Sequence, residues 1–235
     1  MITLKEYIQT VLSEAVLGTK VEAVLRHLRS LDTKNEIRGY LEENFEMIGI
    51  GSSRQVFAID DEFVIKFDNG GLGEASGYHN KIEANAKIQG GLGYMFPKVY
   101  DHAKNYSWLL AERVNHRFSE SQWLAAIGIK NSVTFDKIKT LSKFLSRLED
   151  LLEWEPEMSE EEAVVAVTKK YFKRDERYVN FDDEIESIKG ILDLPFVRGM
   201  RDMYRQYDLA LWDVRAANVG MTFDGRPVII DWAME

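Results

Sequence analysis

The chain contains no cysteine in its 235 residues, which excludes disulfide bonds and cysteine-based zinc sites and fits a reducing compartment. It has no apolar run of about 18 residues, so we expect no membrane partner. Basic residues are in deficit, with 30 Lys and Arg against 39 Asp and Glu, which argues against a nucleic-acid binder with a broad basic face. The N-terminus lacks the basic start and apolar core of a secretory signal. We therefore expect a cytoplasmic protein, either of the cell that makes it or of a host cell into which it is delivered.

Three stretches of the chain differ in how their apolar residues are spaced. Residues 1–46 carry them at steps of three and four, which predicts helices, with Asp32 as a candidate cap for the last one. Residues 47–114 contain short runs rich in β-branched and aromatic residues, which predicts a small antiparallel sheet with one helix. Residues 115–235 return mostly to helical spacing and end in a predicted hairpin. The pattern predicts an α+β fold, as one large domain or two small lobes.

The C-terminal part of the chain holds the strongest chemical signal. Asp213 and Asn218 are five positions apart, and Asp231 closes an apolar strand thirteen positions later. The tight-turn dipeptide at 224–225 predicts a hairpin that brings Asn218 and Asp231 to the same end of two paired strands. Their side-chain oxygens are the hard ligands that Mg²⁺ prefers, while Asp213 can orient an attacking hydroxyl. Arg215 could neutralise a transferring phosphoryl group or be a surface arginine, and an Asx-capped turn is the alternative for the Asp–Asn pair.

A glycine- and serine-rich stretch connects the first two predicted strands. It reads Gly49-x-Gly51-Ser52-Ser53. Glycine lets backbone N–H groups approach an anion, and serine hydroxyls add further donors, so the stretch is a candidate phosphate-binding loop. A plain hairpin turn is the alternative that the same residues allow.

Lys66 stands in the otherwise apolar predicted strand at 63–67. Burying an ammonium group without a partner is costly, so its place needs an explanation. One is an edge lysine that reaches water. The other is an ion pair with a carboxylate of the next helix, which would leave the ammonium to hold phosphate oxygens. Glu83, seventeen residues downstream, is the preferred partner, and Glu74 near the predicted helix start is the second candidate.

These motifs, taken together and in this order, resemble those of the protein-kinase-like phosphotransferase superfamily, which includes protein kinases and aminoglycoside-type small-molecule kinases. The resemblance covers residues 47–114 as a nucleotide-binding N-lobe and residues 205–235 as the catalytic and metal loops. It implies a two-lobed fold in which 115–235 form a mostly helical C-lobe and 1–46 form an additional helical extension.

The resemblance also assigns roles to individual residues and implies ATP and Mg²⁺ as cofactors, with MgATP between the lobes. The implied nucleotide-binding residues are Gly49, Gly51, Ser52, Ser53, Lys66, Glu83, Glu112 and Val114. Residues 109–114, which include Glu112 and Val114, resemble the hinge, whose backbone would meet adenine. The implied catalytic residues are Asp213, Lys66 and Arg215, and the implied metal ligands are Asn218 and Asp231.

Several departures from the superfamily pattern narrow the prediction. Arg54 stands near the place of a third loop glycine, which is closer to the small-molecule kinases. Leu211 and Trp212 replace the His-Arg that usually precedes the catalytic aspartate, so regulation by activation-loop phosphorylation is not expected. Trp232 replaces the Phe of the metal loop, and the sequence ends two residues after Ala233, without an activation segment or later C-lobe helices. We expect a minimal, atypical kinase of bacterial or phage type.

The acceptor that the resemblance favours is a Ser or Thr hydroxyl of a protein. The first alternative is a small-molecule, aminoglycoside-type phosphotransferase, because the loop is closer to that branch and the acidic residues at 149–162 could hold a cationic substrate. The second alternative is a pseudokinase, a binding module that acts through protein–protein contacts of its N-terminal helices. The sequence makes no prediction of the oligomeric state.

Overall fold

The structure, a computed structural model, describes residues 18–51, 53–68, 77–89, 91–115, 117–130, 134–172, 181–207 and 210–231. The chain divides into two compact units. The first runs to Gly91 and includes Lys98–Arg113, and the second comprises Leu92–Pro97 and the residues from Val114 onward. Ser52, Glu74 and the predicted helix before residue 18 lie outside the described residues.

The first unit is built on a five-stranded antiparallel sheet with the strand order β1-β2-β3-β5-β4. The strands are β1 (Glu46–Ile50), β2 (Arg54–Ala58), β3 (Phe63–Asp68), β4 (Val99–His102) and β5 (Trp108–Glu112). Helices α1 (Thr19–Ser30) and α2 (Lys34–Asn44) precede the sheet, and α3 (Tyr78–Gln89) connects β3 to β4. β3 is the central strand, and all six of its residues are buried.

Helices α1 and α2 share one hydrophobic core with the sheet. The apolar face predicted for α1 is buried, and it packs with Phe57 of β2 and with the alternate β3 residues Phe63, Ile65 and Phe67. Because side chains alternate across a strand, Lys66 lies on the opposite face of β3. Burial of each large apolar side chain contributes about 1.5–3 kcal/mol relative to exposure. One face of the sheet therefore packs against α1 and α2, and the opposite face, which carries Lys66, faces α3.

The start of α2 differs from the prediction, because Thr33 rather than Asp32 is the N-cap. The Thr33 hydroxyl accepts the Glu36 backbone N–H at 3.2 Å, and the Glu36 carboxylate accepts the Thr33 N–H at 2.9 Å. This reciprocal capping box satisfies two backbone donors, whereas an aspartate alone satisfies one. The hydrogen bonds from Thr33 hold the pKa of Glu36 below its usual range.

The second unit is mostly helical, as predicted. Its helices are α4 (Glu120–Ala126), α5 (Ile138–Trp154), α6 (Glu160–Phe172), α7 (Phe181–Leu192) and α8 (Pro195–Tyr207). Short 3₁₀ turns lie at Leu92–Met95, Leu211–Asp213 and Ala216–Asn218, and the hairpin consists of β6 (Val219–Met221) and β7 (Pro227–Ile229). The two units together confirm the predicted α+β fold class. Along the parts of the chain that the structure describes, no helix is long and apolar enough to cross a membrane.

A buried ionic cluster ties α5, α6 and α8 together. The Glu149 carboxylate of α5 accepts hydrogen bonds from Arg201 and from Arg205 of α8, the latter at 2.7 Å. Arg201 also donates to Glu160 of α6 at 2.8 Å, and this hydrogen bond holds the pKa of Glu160 below its usual range. Removal of one partner from such a buried pair is strongly destabilising, so the cluster fixes α8, the helix that precedes the Leu211–Asp213 turn.

Candidate active site

Lys66 is the fourth residue of β3 and is paired with Glu83 of α3. The distance between the lysine Nζ and the glutamate Oε1 is 2.5 Å. Both residues are buried, with 4% and 2% of their surface exposed. Since β3 is the central strand, the alternative of an edge lysine that reaches water does not apply. The rival carboxylate, Glu74, lies outside the described residues.

Glu83 holds a second cation that sequence reasoning missed. Arg54 Nη1 lies 2.8 Å from the other carboxylate oxygen of Glu83, Oε2, and Arg54 is only 4% exposed. Arg54 is the first residue of β2 and lies on the α3 side of the sheet, two positions from Val56, which pairs with Lys66. The available signal was an arginine at the start of a strand directly after the glycine–serine loop. We call Lys66, Glu83 and Arg54 the lysine site.

The start of α3 is fixed by Asp68, the last residue of β3. The Asp68 carboxylate accepts the backbone N–H of Gly77 at 2.6 Å and is contacted by Lys34 of α2 at 2.8 Å. Gly77 has φ of +82°, and a Cβ there would lie 2.6 Å from the Asn105 carbonyl oxygen, so glycine is required. The helix that carries Glu83 therefore begins at a place set by both β3 and α2.

Asn80 fixes the next turn of α3 against the sheet. Its amide nitrogen donates to the backbone carbonyls of Tyr106 at 2.8 Å and of Lys66 at 3.3 Å. Residues three apart on a helix share a face, so the same face that Asn80 clamps presents Glu83 to the lysine. These contacts hold the Lys66–Glu83 pair in its formed state.

The glycine–serine stretch is divided between a strand and a loop. Gly49 belongs to β1 and pairs with Val56 of β2, so the connecting loop is shorter than the sequence suggested. Gly51 closes that loop by donating its N–H to the Arg54 carbonyl at 2.8 Å. Ser53 is half-buried, and Ser52 lies outside the described residues. Phosphate binding by this loop stays a prediction.

Asp213 lies buried at the end of a 3₁₀ turn in the second unit, with 8% of its surface exposed. Ser142 of α5, fully buried, donates its hydroxyl to the Leu211 carbonyl at 2.6 Å and so anchors the turn to α5. Asn218 donates its side-chain amide to the Asp213 carbonyl at 2.9 Å. The loop is therefore closed on itself and attached to α5.

The hairpin brings Asn218 and Asp231 together, as the spacing predicts. The Asn218 carbonyl accepts the backbone N–H of Ile230 at 2.9 Å and that of Asp231 at 3.4 Å. Gly225 at the turn has φ of +85° and donates its N–H to the Thr222 carbonyl at 2.9 Å. We call Asp213, Asn218 and Asp231 the aspartate site.

The donor set of the aspartate site fits Mg²⁺. The Asn218 amide nitrogen is engaged by Asp213, so its amide oxygen is the atom that can ligate a cation, and the Asp231 carboxylate is the second candidate ligand. The described residues contain no group of three or more His, Cys, Asp or Glu placed to hold a metal. Mg²⁺ needs no such cage, because it is typically bound by one or two protein oxygens together with substrate phosphates and water.

Arg215 lies beside Asp213, with its Nε 3.4 Å from the aspartate Oδ1. Its side chain is 60% exposed, and such exposed ion pairs contribute little to stability. The position suits a cation that neutralises charge next to Asp213 and equally suits a surface arginine. Both interpretations from the sequence stand.

The predicted hinge residues differ in what their backbone can offer. The Glu112 N–H donates to the Lys98 carbonyl at 2.8 Å, and the Glu112 carboxylate accepts the Lys98 N–H at 3.1 Å. Asn115 is paired with Met221 in both directions. Between them, the backbone N–H and C=O of Val114 make no hydrogen bond to another described residue. Adenine binding at the Val114 backbone stays a prediction.

Comparison with known proteins adds little to this geometry. No protein-family model and no curated protein sequence matches the chain. Among solved structures, the chain is similar to the structure of the streptomycin-ATP-APH(2")-IIa ternary complex, with a TM-score of 0.27 and 12% sequence identity. The similarity covers 68% of this chain and 58% of that chain. A likeness of that size supports no inference about fold or function.

Proposed function

We propose that the chain is an ATP-dependent phosphotransferase of protein-kinase-like fold that transfers the γ-phosphate of ATP to a hydroxyl of a protein. The observation that carries this proposal is the buried Lys66–Glu83 pair at 2.5 Å. A lysine on the third strand, paired with a glutamate on the helix that follows, is the arrangement that protein kinases need in place for catalysis.

Stability alone is a poor explanation for this pair. Desolvation of two charges offsets most of their attraction, and replacing a buried ion pair with apolar residues is often neutral or stabilising. A buried lysine held by a carboxylate of the following helix is instead what binding of phosphate oxygens needs. The contacts of Asp68 and Asn80 with α3 support the same interpretation, because they fix the helix where its glutamate meets the lysine.

Each site has a distinct part in the proposed reaction. Lys66, held by Glu83, binds phosphate oxygens, and the Val114 backbone meets adenine. Asp213 orients the acceptor hydroxyl and accepts its proton, while Arg215 neutralises charge on the transferring group. Asn218 and Asp231 would hold Mg²⁺, which when bound would supply charge neutralisation at the phosphates. Positioning and charge neutralisation provide most of the rate in this chemistry.

Three of the acidic residues at 149–162 are engaged within the second unit, which counts against their use as a substrate site. The small-molecule alternative uses the acidic residues at 149–162 as a substrate site. Glu149 and Glu160 are bound by arginines of α8, and Glu162 accepts the Ser159 backbone N–H at 2.9 Å. These carboxylates already have partners within the protein, so they are poor candidates for binding a cationic substrate.

Transfer of labelled γ-phosphate from MgATP in a bacterial lysate tests the proposal. Purified wild type is compared with Asp213→Asn and with the matched control Asp193→Asn, which changes an exposed aspartate. We expect labelled protein bands with wild type and the control, and none with Asp213→Asn. ATP consumption that depends on Asp213 without a labelled protein would indicate a small-molecule acceptor. The absence of both labelled protein and ATP consumption would contradict phosphotransfer.

A further inference from the structure

We propose that Arg54 is a positioning residue of the nucleotide-phosphate site, acting through Glu83. It holds one oxygen of the Glu83 carboxylate so that the other directs the Lys66 ammonium, and it ties this pair to the loop before β2. The inference rests on the function proposed above and adds a residue whose place in that site the sequence pattern did not assign.

The first support is the division of the Glu83 carboxylate between two cations. Oε1 lies 2.5 Å from Lys66 Nζ, and Oε2 lies 2.8 Å from Arg54 Nη1. A carboxylate whose two oxygens are bound by two different cations cannot rotate about its terminal bond without losing one partner. Arg54 therefore fixes the plane of the Glu83 carboxylate and with it the direction from which Lys66 is held.

The second support is the connection of Arg54 to the loop. Its backbone carbonyl accepts the Gly51 N–H at 2.8 Å, which closes the connection between β1 and β2. Its side chain reaches Glu83 on α3, twenty-nine residues later in the chain. One residue is thus bonded to the loop through its main chain and to the Lys66–Glu83 pair through its side chain. Arg54 therefore links the hydrogen bond that closes the β1–β2 loop to the ion pair that places Glu83.

The third support is the residue type. Burial of a guanidinium is costly, and Arg54 is only 4% exposed. Arginine presents a rigid planar fork whose geometry matches a carboxylate, whereas lysine is a flexible point charge. A role in orienting Glu83 explains why a planar cation occupies this buried place, and a lysine there would restore the charge but not the orientation.

A double-mutant cycle on MgATP binding tests this role. The variants are Arg54→Gln, Glu83→Gln and the combination of both, with Arg26→Gln as a control that removes an exposed arginine of the first unit. Equilibrium dissociation constants for MgATP are measured together with KM, kcat and the thermal midpoint. We expect Arg54→Gln to weaken MgATP binding by about tenfold and to raise KM more than it lowers kcat. In the Glu83→Gln background the same change should weaken binding less than about twofold, because its effect passes through Glu83.

Arg54→Lys separates orientation from charge. We expect it to recover only part of the lost affinity at an unchanged thermal midpoint, and it also decides the case if Arg54→Gln fails to fold. A dissociation constant for Arg54→Lys equal to that of wild type would overturn the role. Equal effects of Arg54→Gln on MgATP binding in the wild-type and Glu83→Gln backgrounds would overturn it as well. So would an Arg54→Gln variant that has a lowered thermal midpoint but binds MgATP as tightly as Arg26→Gln. If wild type neither binds MgATP nor transfers phosphate, the proposed function itself fails. If wild type is active and substitution of Arg54 leaves MgATP binding unchanged, only the role of Arg54 fails.

Discussion

In the lysine site of the first unit, the chemistry-bearing side chains are held by ion pairs with one another, whereas in the aspartate site of the second unit the loop is held by hydrogen bonds to its backbone carbonyls. Glu83 binds two cations through its carboxylate. The Asn218 carbonyl instead binds the backbone N–H groups of Ile230 and Asp231. The lysine site depends most on Glu83, because without it Lys66 and Arg54 lose the carboxylate that both contact. In the aspartate site, the hydrogen bonds that join Asn218 to residues 230 and 231 run through the backbone, so they do not depend on the Asp231 side chain.

Glu83→Gln is expected to have the largest effect on stability, because it removes the carboxylate that holds the lysine site together. The substitution leaves Lys66 and Arg54 buried without the carboxylate that both contact, so unfolding free energy should fall by about 3–5 kcal/mol. Urea unfolding measures the change. Glu74→Gln is the comparison, since Glu74 was the rival partner of the lysine in the sequence. An equal or larger loss of stability and activity in Glu74→Gln would show that the wrong carboxylate has been placed in the site.

The metal part of the aspartate site is expected to respond without loss of fold. MgATP at about 100 times its dissociation constant should stabilise wild type by about 2.7 kcal/mol, and this gain should shrink when Mg²⁺ is removed with a chelator. Asp231→Ala should abolish the Mg²⁺-dependent part. Its stability without ligand is compared with that of wild type, so that the loss of the Mg²⁺ response is measured on a folded variant. Thermal unfolding with and without Mg²⁺ provides the measurement, and a full Mg²⁺ response in Asp231→Ala would remove this residue from the metal site.

A smaller effect is expected where the aspartate loop meets α5. Ser142→Ala leaves the Leu211 carbonyl buried without its 2.6 Å hydrogen bond, which should cost about 1–3 kcal/mol and lower the transfer rate. Ser146→Ala, a buried serine on the same helix, is the matched control. Urea unfolding and phosphate transfer are measured for both variants. Equal behaviour of the two would mean that the hydroxyl of Ser142 does not hold the loop.

The smallest effect concerns the exposed end of the ionic cluster in the second unit. The hydrogen bond from Arg201 lowers the pKa of Glu160 from its ordinary value of 4.5. A carboxyl group with a lowered pKa contributes stability that is present above its ordinary pKa and is lost as the pH falls through the lowered value. Glu160→Gln should therefore be less stable than wild type at neutral pH, and the difference should close below about pH 4.5. Thermal midpoints across this range measure it, and a constant difference at every pH would assign the effect to packing.

Local sequence patterns were sufficient to predict the elements and the hairpin. The apolar spacing of α1, the runs that form β3 and β5 and the turn at Gly225 are encoded within a few residues. The N-cap of α2 was placed one residue too early, at Asp32, because the Thr33–Glu36 capping box was not recognised. The order of Lys66 and Glu83 along the chain pointed to the pair that the structure contains.

The supporting contacts were missed because they join residues far apart in sequence. Arg54 meets Glu83 across 29 positions, Lys34 meets Asp68 across 34, and Ser142 meets Leu211 across 69. None of these contacts joins two residues of the same periodic pattern or the same short motif. Their partners are set by how strands and helices pack, and a single sequence carries no local signal for that.

The most direct measurement is equilibrium binding of MgATP to wild type and to Lys66→Met, with Lys104→Met as a control at an exposed turn. Arg54 still contacts the Glu83 carboxylate in Lys66→Met, so we expect the variant to fold. We expect wild type and Lys104→Met to bind MgATP equally and Lys66→Met, with an intact thermal unfolding transition, to lose most of that affinity and all phosphate transfer. Wild-type affinity and transfer in folded Lys66→Met would contradict a nucleotide-phosphate site built on the Lys66–Glu83 pair.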